Sequence, residues 1–254
     1  MEVVAMLATG LSTTAERALV ACSALDGHAV EAVLDACSRQ AGPEAAVTEV
    51  LVPVLREVAR CVAAAELTTV HQQLFTGAAQ RWLRHARRAA PPPTVPAPVL
   101  LACALTEHHA VELASLELLL RHRGLPVTDL GANTPSSDLL AAIRRLRPAA
   151  VVVSCHLPRS RPHAVGALRL ARSQGVSTFA HGAGFSAPEE GDRDPLDHLD
   201  PDPGVAADAI TRAVVHQRSG PSLLLPPTEV VPRPGTDREA APARPAPDLC
   251  PCPR

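Results

Sequence analysis

From Val99 onward, short apolar runs alternate with amphipathic ones, and no other feature restricts the fold of this chain so strongly. The apolar runs are Val99–Ala104, Pro126–Leu130, Ala149–Ser154 and Val176–Ala180. Helical repeats lie between them at about Ala110–His122, Ser136–Arg145 and Arg161–Ser173, with a last one at about Val205–Gln217. Strands without a polar face must be covered on both sides, and alternation with amphipathic helices is how a parallel sheet gets its covers. The expected fold class is therefore α/β: a flavodoxin-like (Rossmann-like) doubly wound parallel sheet over residues 97–217. Gly124, Gly131 and Gly175 punctuate it where tight turns are needed, and a short fifth strand is expected near Asp197–Leu199.

The first part of the chain has a different period. Thr13 and Glu16 have capping-box spacing for a helix over Thr14–Ala24, and Asp26 caps a second through Gln40. Gly42 and Pro43 end one helix and begin the next. Val47, Val50, Leu51, Val54, Leu55, Val58 and Val62 then recur every three or four residues. A fourth helix runs from about Glu66 to Arg88, with Leu67, Val70, Leu74, Ala78 and Trp82 inward. Four helices with short connections predict an N-terminal four-helix bundle over residues 13–89. The basic end of that helix, RWLRHARR, is read as cations complementing a helix C-terminus rather than as a phosphate patch. The segment AAPPPTVPAP, 89–98, reads as a stiff interdomain linker. Residues 218–254 are Pro-rich without periodicity and are expected to be a disordered tail.

Bulk properties exclude several function classes. The formal net charge of -2 offers no global basic field for nucleic acid or anionic membrane. Aromatic residues make up 2% of the chain, too few for a base-stacking platform. The seven cysteines form no Cys-x-x-Cys pair, so neither a zinc ribbon nor a disulfide scaffold is indicated. No signal peptide or membrane-length apolar run is seen, and a cytoplasmic protein with no membrane partner is expected. Residues 1–12 leave no room for a helix-turn-helix, so direct DNA binding is not expected.

In an open α/β sheet, ligands bind outside the carboxyl ends of the strands where the strand order reverses. With flavodoxin-like order, the loops after the first and third strands meet there. The first of these carries Glu107, His108 and His109; the second carries Ser154, Cys155 and His156. The loop after the fourth strand is HGAGF, His181–Phe185, whose glycines let backbone approach a ligand closely. The serine lacks the Gly-x-Ser-x-Gly elbow of a nucleophile, and phosphate-loop and dinucleotide glycine patterns are absent.

Taken together, Glu107-x-His109-x-x-Glu112, the Ser154 motif and the Gly182–Gly184 loop resemble the cobalamin-binding domain. That domain is shared by corrinoid methyltransferase modules, cobalamin-dependent mutases and cobalamin-sensing regulators. The family pattern is Asp-x-His-x-x-Gly, then Ser-x-Leu, then a Gly-Gly loop. Here Glu107 stands for the Asp, Glu112 for the Gly, His156 for the Leu and His181 for the first Gly of the pair. The helical segment resembles the cap that such proteins place over the upper corrin face.

The resemblance implies cobalamin as cofactor, in adenosyl, methyl or hydroxo form, with His109 as metal ligand on cobalt and Glu107 orienting it. Glu112, Ser154, His156, Gly182, Gly184 and Phe185 are then cofactor-contacting residues, Ser154 and the glycine loop lining the slot for the displaced nucleotide tail. Gln72 and Gln73 occupy positions that in light-sensing relatives hold a Glu-His pair, and Val62 the position of a Trp, so a photoreceptor mechanism is not implied. The expected function is a cobalamin-binding sensor in transcriptional control that acts through a protein partner, either monomeric or as a homo-oligomer. The alternatives are a corrinoid carrier subunit working with a methyltransferase, and a family member that has lost its cofactor.

Overall fold

A computed structural model describes residues 11–108, 110–185 and 196–219. His109 and residues 220–254 of the expected tail lie outside the described residues, while 218 and 219, expected in that tail, end the last helix. Four helices come first. Helix α1 spans Thr13–Ser23, and its cap is Ser12, whose hydroxyl accepts from the Ala15 amide, one residue earlier than the Thr13 spacing suggests. Helix α2, Gly27–Ala41, is capped as expected by Asp26, which accepts from the Ala29 amide at 2.9 Å.

Helix α3 covers Val52–Ala63 and continues a single α turn, Pro43–Ala45, through a π-helical stretch at Ala46–Leu51. Pro53 has no N–H to offer the preceding turn, and the widened turns lie just ahead of it. Helix α4 spans Thr69–Ala86. It starts three residues later than its apolar spacing suggests, because Thr68 and His71 form a reciprocal capping box there. His71 Nδ1 lies 2.8 Å from the Thr68 hydroxyl and accepts from its amide. Phe75, Ala78, Ala79, Trp82 and Leu83 are buried, while Val70, expected inward, is exposed on the first turn.

The remaining elements are β1 (Val99–Cys103), α5 (Val111–His122), β2 (Val127–Asp129), α6 (Ser136–Leu146), β3 (Ala150–Ser154), α7 (Arg161–Ser173), β4 (Ser177–His181) and α8 (Pro203–Ser219). All strand pairs are parallel, in the order β2-β1-β3-β4. The expected fifth strand is reduced to one bridge, Ala180 with His198, where the Ala180 carbonyl accepts from Leu199 and its amide donates to Asp197.

Alternation along the strands sorts the core into two. Val99, Leu101, Cys103, Ala150 and Val152 pack with α5, α8 and the N-terminal helices into one continuous cluster. Leu100, Ala102, Val151 and Val153 pack with α6 and α7 into another. The N-terminal helices and one face of the sheet thus share a core. Helix α5 lies between them, which is why residues Leu113–Leu120 are all buried, including Glu117.

Glu117 receives Arg121 from its own helix at 2.8 Å and Arg87 from the end of α4. At least this cation of the RWLRHARR patch is structural. The Pro-rich segment is also docked: the Thr94 amide donates to the Gly124 carbonyl at 2.7 Å and Val95 packs on the core. A methyl group on Gly124, whose φ is +77°, would fall 2.8 Å from the Thr94 hydroxyl, so glycine is required by both conformation and contact. No described helix is long and apolar enough to cross a membrane.

Candidate functional site

The sheet register aligns the last residues of three strands. Cys103 pairs with Ser154, and Ser154 with His181. Strand order reverses between β1 and β3, so the loops that leave Cys103 and Ser154 part at the position where open α/β sheets bind ligands. The β1–α5 loop is fixed there by Glu107, which is fully buried. Its carboxylate accepts from the amides of His156 (2.7 Å) and Leu157 (2.9 Å) on the β3–α7 loop, and from the His108 amide at 3.0 Å. The family resemblance implies an orienting role for Glu107 toward His109, which lies outside the described residues; the described contacts of Glu107 tie two loops together. His108 is exposed.

Thr106 precedes Glu107 with φ +68°, a conformation a β-branched residue avoids. Asn133 Oδ1 accepts the Thr106 amide at 2.8 Å, the Asn133 amide donates to the Glu107 carbonyl, and the Thr106 and Ser160 hydroxyls lie 2.9 Å apart. Sequence reading passes over Asn133 and Ser160. The only hint is the Gly131–Pro135 turn chemistry, in which an Asn tolerates φ +56°.

Three of the four residues that depart from the family pattern come together in one chain of contacts. Glu112, on the first turn of α5, lies 2.9 Å from His156 Nε2. That nitrogen is 3.2 Å from the Ser154 hydroxyl, which is 3.1 Å from Nδ1 of His181. The two imidazoles meet edge to face at 5.7 Å. Burial works to raise the Glu112 carboxyl, but the bond to His156 and its charge outweigh it and hold the group below its usual range. Burial likewise pulls His156 down, and the Glu112 bond and charge win, leaving it raised. His181 has burial and the His156 charge against its protonation and falls to about 4. One proton arrangement serves the chain: the single Nε2–H of His156 goes to Glu112 and is shared with the more distant Ser154 oxygen, and the serine hydroxyl donates to a neutral His181.

The glycine loop closes over this chain. Gly182 has φ +99°, and a β-carbon on it would sit 2.6 Å from the Cys155 carbonyl oxygen and 3.0 Å from the His156 ring. At Gly184 it would meet the Cys155 sulfur at 2.7 Å. The Cys155 thiol is pushed up to about 11, burial first and the Glu107 charge second, and is no nucleophile near neutral pH. Phe185 is buried against His198, and its carbonyl accepts from Arg161 at 3.0 Å. Of the other candidates, Gln72 is half-buried and Gln73 exposed on α4, and neither shares a hydrogen bond with this chain. Arg56 on α3 places its charge near Glu112 and His181 while donating to the Pro201 carbonyl.

Residues 97–198 match the B12 binding domain. This segment belongs to the B12-binding domain family. Two curated relatives from Myxococcus xanthus carry the likeness further. The chain is 33% identical to the HTH-type transcriptional repressor CarH over 174 residues, 67% of this chain and 58% of that one. It is 32% identical to the HTH-type transcriptional repressor CarA over 139 residues, 55% of this chain and 46% of that one. The chain thus spans about half the length of the curated relatives it matches. Among solved structures, the monomethylamine corrinoid protein of Methanosarcina barkeri shares the fold with a TM-score of 0.65 at 13% identity, over 77% of this chain and 95% of that one.

Cobalamin is the cofactor class that the B12-binding match assigns to this domain. The position at the strand-order reversal suits it, with two loops locked by Glu107. The slot between Ser154 and the glycine loop does not fit a nucleotide tail. His156 covers Gly182, both contacts of the Ser154 hydroxyl are taken, and a carboxylate held in its charged form stands beside them.

Proposed function

We propose that the protein is a cobalamin-dependent regulator that acts through a protein partner, with His109 as the ligand to cobalt. The observation that carries this reading is the anchoring of the β1–α5 loop by the buried Glu107 carboxylate at the strand-order reversal of a B12-binding domain. An axial ligand needs a backbone that does not yield when the metal binds, and three amides on one carboxylate, with Asn133 and Ser160 behind, supply that. On this reading residues 97–217 are the cofactor domain and 13–89 its helical cap. Gln72 and Gln73 are the polar residues the cap offers toward the upper face. A regulatory role is supported by the likeness to two transcriptional repressors.

The test is retention of the chromophore. Wild-type protein mixed with hydroxocobalamin and desalted should keep corrin absorbance, and His109→Ala should lose it or show a shifted spectrum. Wild-type protein that emerges colourless refutes the proposal.

A further inference from the structure

We propose that this domain recognises the corrin ring and leaves the nucleotide tail outside, so that its ligand class is corrinoids irrespective of tail. The inference rests on the cobalamin reading above and deepens it.

Three residues that differ from the family pattern, Glu112, His156 and His181, lie far apart in sequence yet form one connected unit with Ser154. Each compensates another. The Glu112 carboxylate faces the His156 ring, and the Ser154 hydroxyl bridges His156 to a His181 that is only 4% exposed. A polar network joined in this way, with Ser154 and His181 buried and Glu112 and His156 at its partly exposed end, fills the space it occupies. The glycines confirm how full that space is, since even a β-carbon at Gly182 would meet the His156 ring and the Cys155 carbonyl.

A tail threaded between the β3–α7 and β4 loops would have to pull His156 from Glu112 and break both contacts of Ser154. It would leave the part-buried Glu112 carboxylate without its partner, and removing one member of such a pair costs more as the pair is more buried. The tail phosphate would also approach that carboxylate, charge against like charge.

The experiment compares hydroxocobalamin with diaquacobinamide, which has the ring but no nucleotide, by equilibrium dialysis against the full chain. Diaquacobinamide is expected to bind at least as tightly as hydroxocobalamin, since a tail that makes no contact adds no affinity and cobalamin must also release its own lower base to His109. Preference for cobalamin by about tenfold or more, the worth of one good charged hydrogen bond, overturns the inference while leaving the cobalamin reading intact. If neither corrinoid is retained, the cobalamin reading itself fails and this inference with it. His156→Leu supplies a second readout, because opening the slot should shift the preference toward cobalamin with little change for cobinamide. Equal gains for both ligands count against the tail slot as the cause.

Discussion

Replacing Glu107 with Ala removes the acceptor of two amides that belong to a different loop. The His156 and Leu157 amides donate to Glu107 at 2.7 and 2.9 Å, and the glutamate is fully buried, so water cannot replace it without the loops parting. Hydrogen bonds to a charged group contribute about 1.5–3 kcal/mol each, and two of them lost together, with partial relaxation, come to about 4 kcal/mol. In a domain of this size that corresponds to a fall of about 12 °C in melting temperature. Circular dichroism at neutral pH would measure it. Glu107→Gln keeps one oxygen for the two inter-loop amides and turns an NH2 toward the His108 amide, so about half the loss is expected. If Glu107→Ala melts within about 3 °C of wild type, the carboxylate does not clamp the loops and the reasoning is wrong.

Other expectations follow from the same contacts. Gly182→Ala forces a side chain into φ +99° against a backbone carbonyl that cannot retreat, and should destabilise by about 3 kcal/mol in urea unfolding. Stability should fall as pH drops from 6.5 toward 4. His181 titrates near 4 when folded and at its ordinary value when unfolded, so the unfolded chain takes up the proton first; His181→Gln should flatten that slope in pH-dependent melting. On the alkaline side the sign reverses, because His156 has a raised folded value and its stabilisation is lost as pH rises through it; His156→Leu should abolish that limb. Glu117→Ala leaves Arg87 and Arg121 facing a buried hole and should cost about 3 kcal/mol, while combining it with Arg87→Leu should recover part, as a double-mutant cycle would show.

Much of the fold was legible because it rests on periodicity. The strands β1, β3 and β4 fall within a residue of their apolar runs, and α7 matches its expected span, since a run with no polar face has few ways to be covered. The sheet order is the one the flavodoxin-like default expects, and with it comes the edge where the loops after β1, β3 and β4 converge. The misses have local causes. Helix α4 begins late because His71 prefers capping Thr68 to continuing an apolar stripe, and the Pro-rich segment is docked because Thr94 finds the Gly124 carbonyl. Neither contact leaves a period in the sequence.

By itself, the sequence determined the α/β class, the helical segment ahead of it, the address of the site and the resemblance to a cobalamin-binding domain. Those properties depend on spacing along the chain, which hydrophobic burial converts into faces and layers. Only tertiary structure decided what Glu107, Glu112, His156 and His181 do. Read in order, they are an acid in place of another acid and three substitutions in scattered motifs. Once the register sets Ser154 beside His181 and α5 brings Glu112 over the β3–α7 loop, one acid clamps two loops and the other three residues become a single satisfied network. The physical reason is that a buried charge or imidazole takes its character from partners within about 3 Å, and those partners lie dozens of residues away.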